Sequence, residues 1–307
     1  MTSLIKRAKN KQDISLAARG DRLPECNLCG KGSPELAFTL AAFDGPYANE
    51  EGYTRRSFFQ CKECGFLCVE PFEADRYLAY YRSLNGNYHS HHDTDITRYQ
   101  TIAHILGRSL IHRVLDWGCG TGKFLSMLPD SATKYGIELS AAVIPAAQER
   151  GIEILCENDL DKSAFSCSFD AVTAIDVAEH IRDLPAWKRK IAGMLKPGGY
   201  FIFLTGNLDS WAARTLGRYW YYLHYAEHIS FLTETAARSW LAPEFEDVQI
   251  VQATHHRVSA VDFAKCTAKL SVAWSLEKLR MASRFRISPS FPATLDHMLV
   301  CARRRVS

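Results

Sequence analysis

The sequence predicts an α/β fold built around a nucleotide-binding half-unit, on three observations. The apolar run Val114-Leu115-Asp116-Trp117 breaks into the glycine-rich stretch Gly118-Cys119-Gly120-Thr121-Gly122. A second apolar run, Tyr135-Gly136-Ile137, ends in an acid, Glu138, 22 residues after Asp116. Two more buried-type runs follow, 152–155 and 169–175, the second reading as a continuous buried strand with acids beyond its end. Strand, glycine turn, helix, strand and terminal acid are the parts of a parallel sheet that binds a nucleotide at its carboxyl edge.

The chain begins with a different chemistry. Of ten cysteines in 307 residues, half lie before residue 69. Cys26-Asn27-Leu28-Cys29-Gly30 and Cys61-Lys62-Glu63-Cys64-Gly65 are two knuckles separated by 31 residues. Each knuckle sets two thiolates on one side of a tight turn, and two knuckles make the tetrahedral four-sulfur site that Zn²⁺ accepts. Four protein ligands leave no open position, so this zinc is expected to be structural, in a lobe over 20–80 that gains folding energy from the metal. Cys68 is read as a spare, and Cys119, Cys156, Cys167, Cys266 and Cys301 as small core residues. His89, His91 and His92 read as a solvated loop.

The central elements follow in order. A short strand over 114–117 meets the glycine turn, where the missing Cβ lets backbone close on a ligand. A helix is expected over 123–128. The spacing G-x-G-x-G, with Asp116 just ahead, differs from the G-x-G-x-x-G of dinucleotide sites. An upstream aspartate can bind an ammonium group, which NAD lacks. Leu195-Lys196-Pro197-Gly198-Gly199-Tyr200 should end one helix and begin a strand over 200–204. The last two strands are expected over 248–253 and 297–302, with a helical insertion at 259–284 between them.

The run from Asp116 to Gly122 resembles the first motif of class I S-adenosylmethionine (SAM) methyltransferases. That resemblance implies a Rossmann-like sheet of seven mostly parallel strands over 81–307, with the final strand antiparallel. It places the methionyl end of SAM on Asp116, Gly118, Gly120 and Gly122, and the ribose on Glu138. Asp159 would meet the adenine amino group, and Asp176 would lie near the reaction centre. Knuckles upstream of such a domain resemble the sugar C-methyltransferases that carry a zinc-binding N-terminal domain. The segment holding Tyr77, Tyr80, Tyr81 and Tyr88 also looks similar, either covering SAM or packing between lobes. The long C-terminal domain with which those enzymes help bind nucleotide-sugar is not expected here, so a smaller or differently held acceptor is expected.

On the substrate side, the aromatic segment at 206–230 reads as a lid insertion over a methyl acceptor, with Arg214 and Arg218 available to an anion. Within it, Tyr225-Ala226-Glu227-His228 resembles the Tyr-x-Glu-His segment of the sugar C-methyltransferases. It is also similar to the Glu-His segment of ubiquinone-biosynthesis-type O-methyltransferases. His228 is the candidate base, with Tyr225 and Glu227 beside it, since an acceptor hydroxyl or activated carbon must lose a proton. The other reading has His228 capping, or packing against, the helix that begins near Thr233. Glu179-His180, at a helix start, reads more readily as structural.

Composition sets outer limits. Apolar content of 47% is globular, and a net charge of +3 is too small to argue for nucleic acid. The basic runs at Lys6–Lys11 and Arg303–Arg305 read as terminal tails. No apolar run of membrane-spanning length and no signal segment are seen, so a cytoplasmic enzyme is expected, with a small-molecule acceptor and no membrane partner. The alternatives are methylation of a nucleic acid or protein, or a SAM-binding module without catalysis. A dehydrogenase would need a different glycine spacing.

Overall fold

The computed structural model describes residues 22–41, 55–70, 72, 96–225, 227–254, 268 and 295–306. Lys6–Lys11, Tyr77, Tyr80, Tyr81, Tyr88, His89, His91, His92, Cys266 and the expected insertion at 259–284 (Ala268 excepted) lie outside the described residues.

The N-terminal part forms strands β1 (Glu35–Ala41), β2 (Arg55–Gln60) and β3 (Leu67–Glu70). After helix α1 (Thr97–Leu106) come β4 (Arg113–Trp117), β5 (Thr133–Ile137), α2 (Ile144–Glu149) and β6 (Glu153–Ile154). Then follow β7 (Phe169–Ile175), α3 (Leu184–Met194), β8 (Leu195–Gly206) and α4 (Trp211–Leu216). The chain continues through β9 (Ser230–Phe231), α5 (Glu234–Leu241), β10 (Phe245–Ala253) and β11 (His297–Arg304).

The main sheet has seven strands in the order β10-β11-β8-β7-β4-β5-β6. β4 pairs in parallel with both β5 and β7, and β7 in parallel with β8. β11 runs antiparallel between β8 and β10. The chain winds outward from β4 to β6, then returns to β7 and winds the other way. That reversal puts the switch point between the carboxyl ends of β4 and β7, where such sheets bind ligands. β7 is mostly apolar and buried at every position but Asp170, because both faces are covered. α3 covers one face with Leu184, Trp187, Ile191 and Met194, spaced for a helical stripe, and Asp183 caps its start by accepting from Ala186 N at 2.9 Å. Trp187 meets Trp117 edge-on and stacks on Trp240, tying helix to sheet.

Three local expectations change. The helix expected over 123–128 is a single 3-10 turn, Leu125–Met127. Pro129 explains it: the residue before a proline is driven out of the helical region, and Leu128 sits at ψ 154°. β8 starts at Leu195 rather than 200, and its pairing with β7 jumps from Phe169↔Leu195 to Ala171↔Tyr200. The Pro-Gly-Gly stretch bulges out in that gap, with Gly198 at φ +74°. Arg303–Arg305 is no frayed tail. Arg303 and Arg304 lie in β11, Arg304 donates to Leu195 O and Arg305 N donates to Glu244 O at 3.0 Å. Cys119 is buried as expected, but Cys156 and Cys167 are exposed.

The second sheet has the order β1-β2-β3-β9, with all pairs antiparallel. Its fourth strand comes from residues far beyond 80, so the N-terminal lobe and the main domain share a sheet. Arg56 on β2 reinforces this, its guanidinium donating to Leu223 O at 3.0 Å, Tyr225 O at 2.8 Å and His228 O. No helix among the described residues is long and apolar enough to cross a membrane.

Candidate functional site

The glycine loop leaves β4 and folds against the end of β5. Gly118 N and Cys119 N both donate to Ile137 O, at 2.8 and 3.0 Å. Gly118, Gly120 and Gly122 have φ of +79°, +53° and +78°, values that only glycine adopts without strain. A Cβ on Gly118 would lie 2.7 Å from Val177 Cγ2, and one on Gly122 would lie 2.1 Å from Ile152 Cδ1. Packing behind the loop and backbone angle within it therefore both demand glycine.

Glu138 closes the same structure. Its Oε2 accepts from Gly120 N at 2.9 Å, and its Oε1 from Leu139 N and Ser140 N at 2.7 Å each. A carboxylate offers about four acceptor positions, so this one fixes the loop and keeps capacity for a ribose hydroxyl. Asp116 is buried behind the loop, and Thr173 donates to its Oδ1 at 2.6 Å. Burial pushes its carboxyl up to about 7, only partly opposed by that hydrogen bond. An ammonium group beside it would relieve this penalty, which suits the methionyl end of SAM. Asp159 sits differently. It caps the 3-10 turn Glu157–Asp161, accepting from Cys156 N at 2.9 Å, and pairs with Lys162 at 2.7 Å. The Lys162 bond holds its pKa down.

Asp176 stands at the carboxyl end of β7 with φ +56° and pairs with Arg98 at 3.3 Å. Three residues on, the turn Ala178–His180 carries Glu179 and His180 into the interior, where they meet His228. The imidazole rings of His180 and His228 are 4.9 Å apart, and Tyr222 and Tyr225 flank His228 at 4.1 and 5.0 Å. Glu179 Oε2 accepts from Thr205 Oγ1 at 2.8 Å. Its Oε1 has no hydrogen-bond partner among the described residues. Burial, then the charge of Asp176, raises the Glu179 carboxyl to about 7. Burial, then neighbouring His180, lowers His228 well below its ordinary range. Burial raises the Tyr225 hydroxyl to about 12.

The three residues expected to be catalytic are thus brought to the switch-point side, each in a specific posture. His228 and Glu227 are buried, and Glu227 turns its backbone carbonyl to His180 Nδ1 at 2.9 Å. Thr233, rather than His228, caps α5, accepting from Ala236 N at 3.0 Å. The expected lid is built into the body. Trp220 and Tyr222 are buried, with Trp220 Nε1 donating to Asp296 and the Tyr222 hydroxyl accepting from Gly206 N. Arg214 is exposed and pairs with Asp209 at 3.0 Å. Glu179 and His180, read as structural, are buried beside His228, and the sequence gave no notice of Arg56, Thr173 or the buried Asp296–His297 pair.

The four knuckle cysteines converge on one point. Gly30 N donates to Cys26 O at 2.9 Å and Gly65 N to Cys61 O at 2.8 Å, closing the two turns with both glycines at positive φ. The sulfurs of Cys26 and Cys64 are 3.8 Å apart, as are those of Cys29 and Cys61. A tetrahedron with Zn–S bonds of about 2.3 Å has edges of about 3.8 Å, so the thiols fit the ion. Cys68 belongs to β3 and stays outside the cluster.

A doubly wound sheet with one antiparallel strand inserted near its edge, a glycine loop at the switch point and an acid ending the next strand define the class I SAM-dependent methyltransferase fold. The chain belongs to the methyltransferase domain family, whose model matches residues 73–243. It is 33% identical over 124 residues to a ubiquinone biosynthesis O-methyltransferase of Alkalilimnicola ehrlichii, covering 38% of this chain and 50% of that protein. The enzyme of the same name from Histophilus somni is 28% identical over 166 residues, covering 48% and 70%. The chain therefore spans between half and about two-thirds of the curated relatives it matches. The crystal structure of a SAM-dependent methyltransferase from Thermotoga maritima, described as a possible histamine N-methyltransferase, shares the fold. Its TM-score is 0.50 at 16% identity, over 75% of this chain and 98% of that one.

Proposed function

We propose that this protein transfers a methyl group from SAM to a hydroxyl of a small-molecule acceptor, a sugar or another biosynthetic intermediate. The observation that carries the reading is the Gly120–Glu138 hydrogen bond, which welds the glycine loop to the end of β5 at the switch point. The names of the curated relatives support oxygen as the accepting atom. SAM supplies an already electrophilic methyl carbon, so the chain's own residues have two tasks, alignment and management of the acceptor's proton.

Asp116, Gly118, Gly120, Gly122 and Glu138 would bind the donor, with Asp159 a secondary contact at its adenine end. Asp176, whose charge reaches Glu179, would lie near the reaction centre, and the acceptor hydroxyl would be deprotonated at the Glu179–His180–His228 cluster. Tyr225 supplies a flat wall beside His228, and Glu227 orients His180 through its carbonyl. His228 alone is a weak base, because burial depresses its pKa. Neighbouring groups must share the work.

The four knuckle thiols would hold a structural Zn²⁺ and support the loop that carries His228, through β9 and Arg56. Such reduced thiols suit the cytoplasm. Titration calorimetry tests the donor reading. SAM and S-adenosylhomocysteine should bind and NAD should not, and the reverse result refutes it. A turnover screen over hydroxylated acceptors then separates an enzyme from a SAM-binding module.

A further inference from the structure

We infer that Thr173 is a positioning residue of the donor site: its hydroxyl holds the Asp116 carboxylate by one oxygen, so that the other is presented to the ammonium group of SAM. β7 reads Phe169-Asp170-Ala171-Val172-Thr173-Ala174-Ile175, and Thr173 is its one hydroxyl-bearing residue. Its side chain is fully buried. A buried hydroxyl costs free energy unless it is bonded, and valine would fill the same space without that cost. Thr173 therefore answers a partner, and the sheet supplies one. β4 and β7 run in parallel with Asp116 opposite Thr173, so the two side chains leave the same face of the sheet.

Thr173 Oγ1 donates to Asp116 Oδ1 at 2.6 Å, the length of a bond from a hydroxyl to a charged oxygen. The other acceptor near it, Leu115 O, is 3.5 Å away, too far to compete for the one hydrogen. That bond sets the rotation of the carboxylate. Among the described residues no hydrogen bond reaches Oδ2, which is left as the acceptor for a ligand. The groups around Asp116 add no positive charge. Glu138, at the end of β5, carries a like charge, and burial holds the Cys119 thiol of the glycine loop in its neutral form. Thr173 is the group that favours the charged carboxylate, against burial and against Glu138. The donor's ammonium completes the pairing.

The inference rests on the reading of Asp116 as the contact for that ammonium. Without the hydroxyl, the carboxyl keeps its proton to higher pH and loses its fixed rotation. A donor must then displace the proton and reorient the group as it binds. A ligand that has no ammonium group does not sense the change.

Calorimetry on the full chain, with Thr173→Val and Thr173→Ser, tests it against two ligands. S-adenosylhomocysteine carries the ammonium. Methylthioadenosine keeps the nucleoside and the sulfur but lacks the amino-acid end. At pH 7, Thr173→Val should bind S-adenosylhomocysteine about tenfold more weakly, the order of a lost hydrogen bond to a charged group, and methylthioadenosine as wild type does. Thr173→Ser keeps a hydroxyl and should restore the first affinity. At pH 8, titrations in buffers of different ionisation enthalpy should show more proton release on S-adenosylhomocysteine binding from Thr173→Val than from wild type, because its carboxyl stays protonated to higher pH. In the wild type, the Thr173 hydroxyl proton should give a slowly exchanging NMR signal that moves when S-adenosylhomocysteine binds, a readout that needs no variant. Wild-type affinity in the folded Val variant, equal weakening of both ligands, no rescue by Ser, or no protected hydroxyl signal would overturn the role of Thr173 alone. Wild-type protein that binds neither ligand would remove the donor reading, and this inference with it.

Discussion

Arg56 offers the sharpest test of how the N-terminal lobe serves the main domain. Its side chain, buried on β2, donates to the carbonyls of Leu223, Tyr225 and His228, and so gathers the loop carrying the candidate catalytic residues. Arg56→Met keeps much of the volume and removes every donor. Each buried carbonyl left without its partner costs about 1–3 kcal/mol. Relief from burying a guanidinium offsets part of the total, leaving an expected loss of about 3–5 kcal/mol. Urea unfolding followed by tryptophan fluorescence measures it. Arg56→Lys, which keeps the charge but can reach fewer carbonyls, should lose about half as much. The same variants should lower kcat more than they weaken SAM binding, because the glycine loop stands apart from this contact. A Met variant within about 0.5 kcal/mol of wild type, a change ordinary for surface sites, would refute the reasoning.

Three further outcomes are expected. Cys61→Ala should lose the knuckle zinc and open residues 22–70 to protease, while calorimetry still detects SAM binding; an intact, protease-resistant lobe would contradict the structural role. Gly122→Ala places a Cβ against Ile152 at a positive φ, so it should destabilise by about 1–3 kcal/mol and weaken SAM at least tenfold, as read by thermal melting and calorimetry. Asp116 should shape stability against pH. The native carboxyl holds its proton to about pH 7 and the unfolded one releases it near 3.8, so the native state binds more protons between those values and stability falls as pH rises through that window. The upper bound is about 4 kcal/mol at 1.36 kcal/mol per pKa unit. Because Glu179 is raised to about 7 as well and contributes the same slope, Asp116→Asn should reduce, without abolishing, the fall of melting temperature between pH 5 and 7.5, and an unchanged slope would remove Asp116 as a source.

Much of the donor side was legible because it is local. A glycine at positive φ, an apolar run buried on both faces and an acid at a strand's end are each written in a few consecutive residues. The knuckles are legible for the same reason, since a four-residue turn fixes two sulfurs at once. The misjudged pieces were those where local and long-range forces compete. Pro129 cut short a helix whose start looked sound, and Arg303 and Arg304 were drawn into β11 by pairing with β8 and β10. The aromatic segment at 206–230 reads in the sequence as a lid insertion. Trp220 and Tyr222 instead answer partners on β8 and beside β11, Gly206 and Asp296.

The sequence by itself determined the sheet's central strands, the glycine loop with its closing acid, and the four thiols, because each is a short-range pattern with one stable geometry. Tertiary structure alone decided that Ser230–Phe231 completes the N-terminal sheet, that Arg56 holds the His228 loop, and that Glu179, His180 and His228 meet. The physical reason is distance along the chain. His180 and His228 stand 48 residues apart, and only the return of the chain from β8 across the switch point brings their rings together.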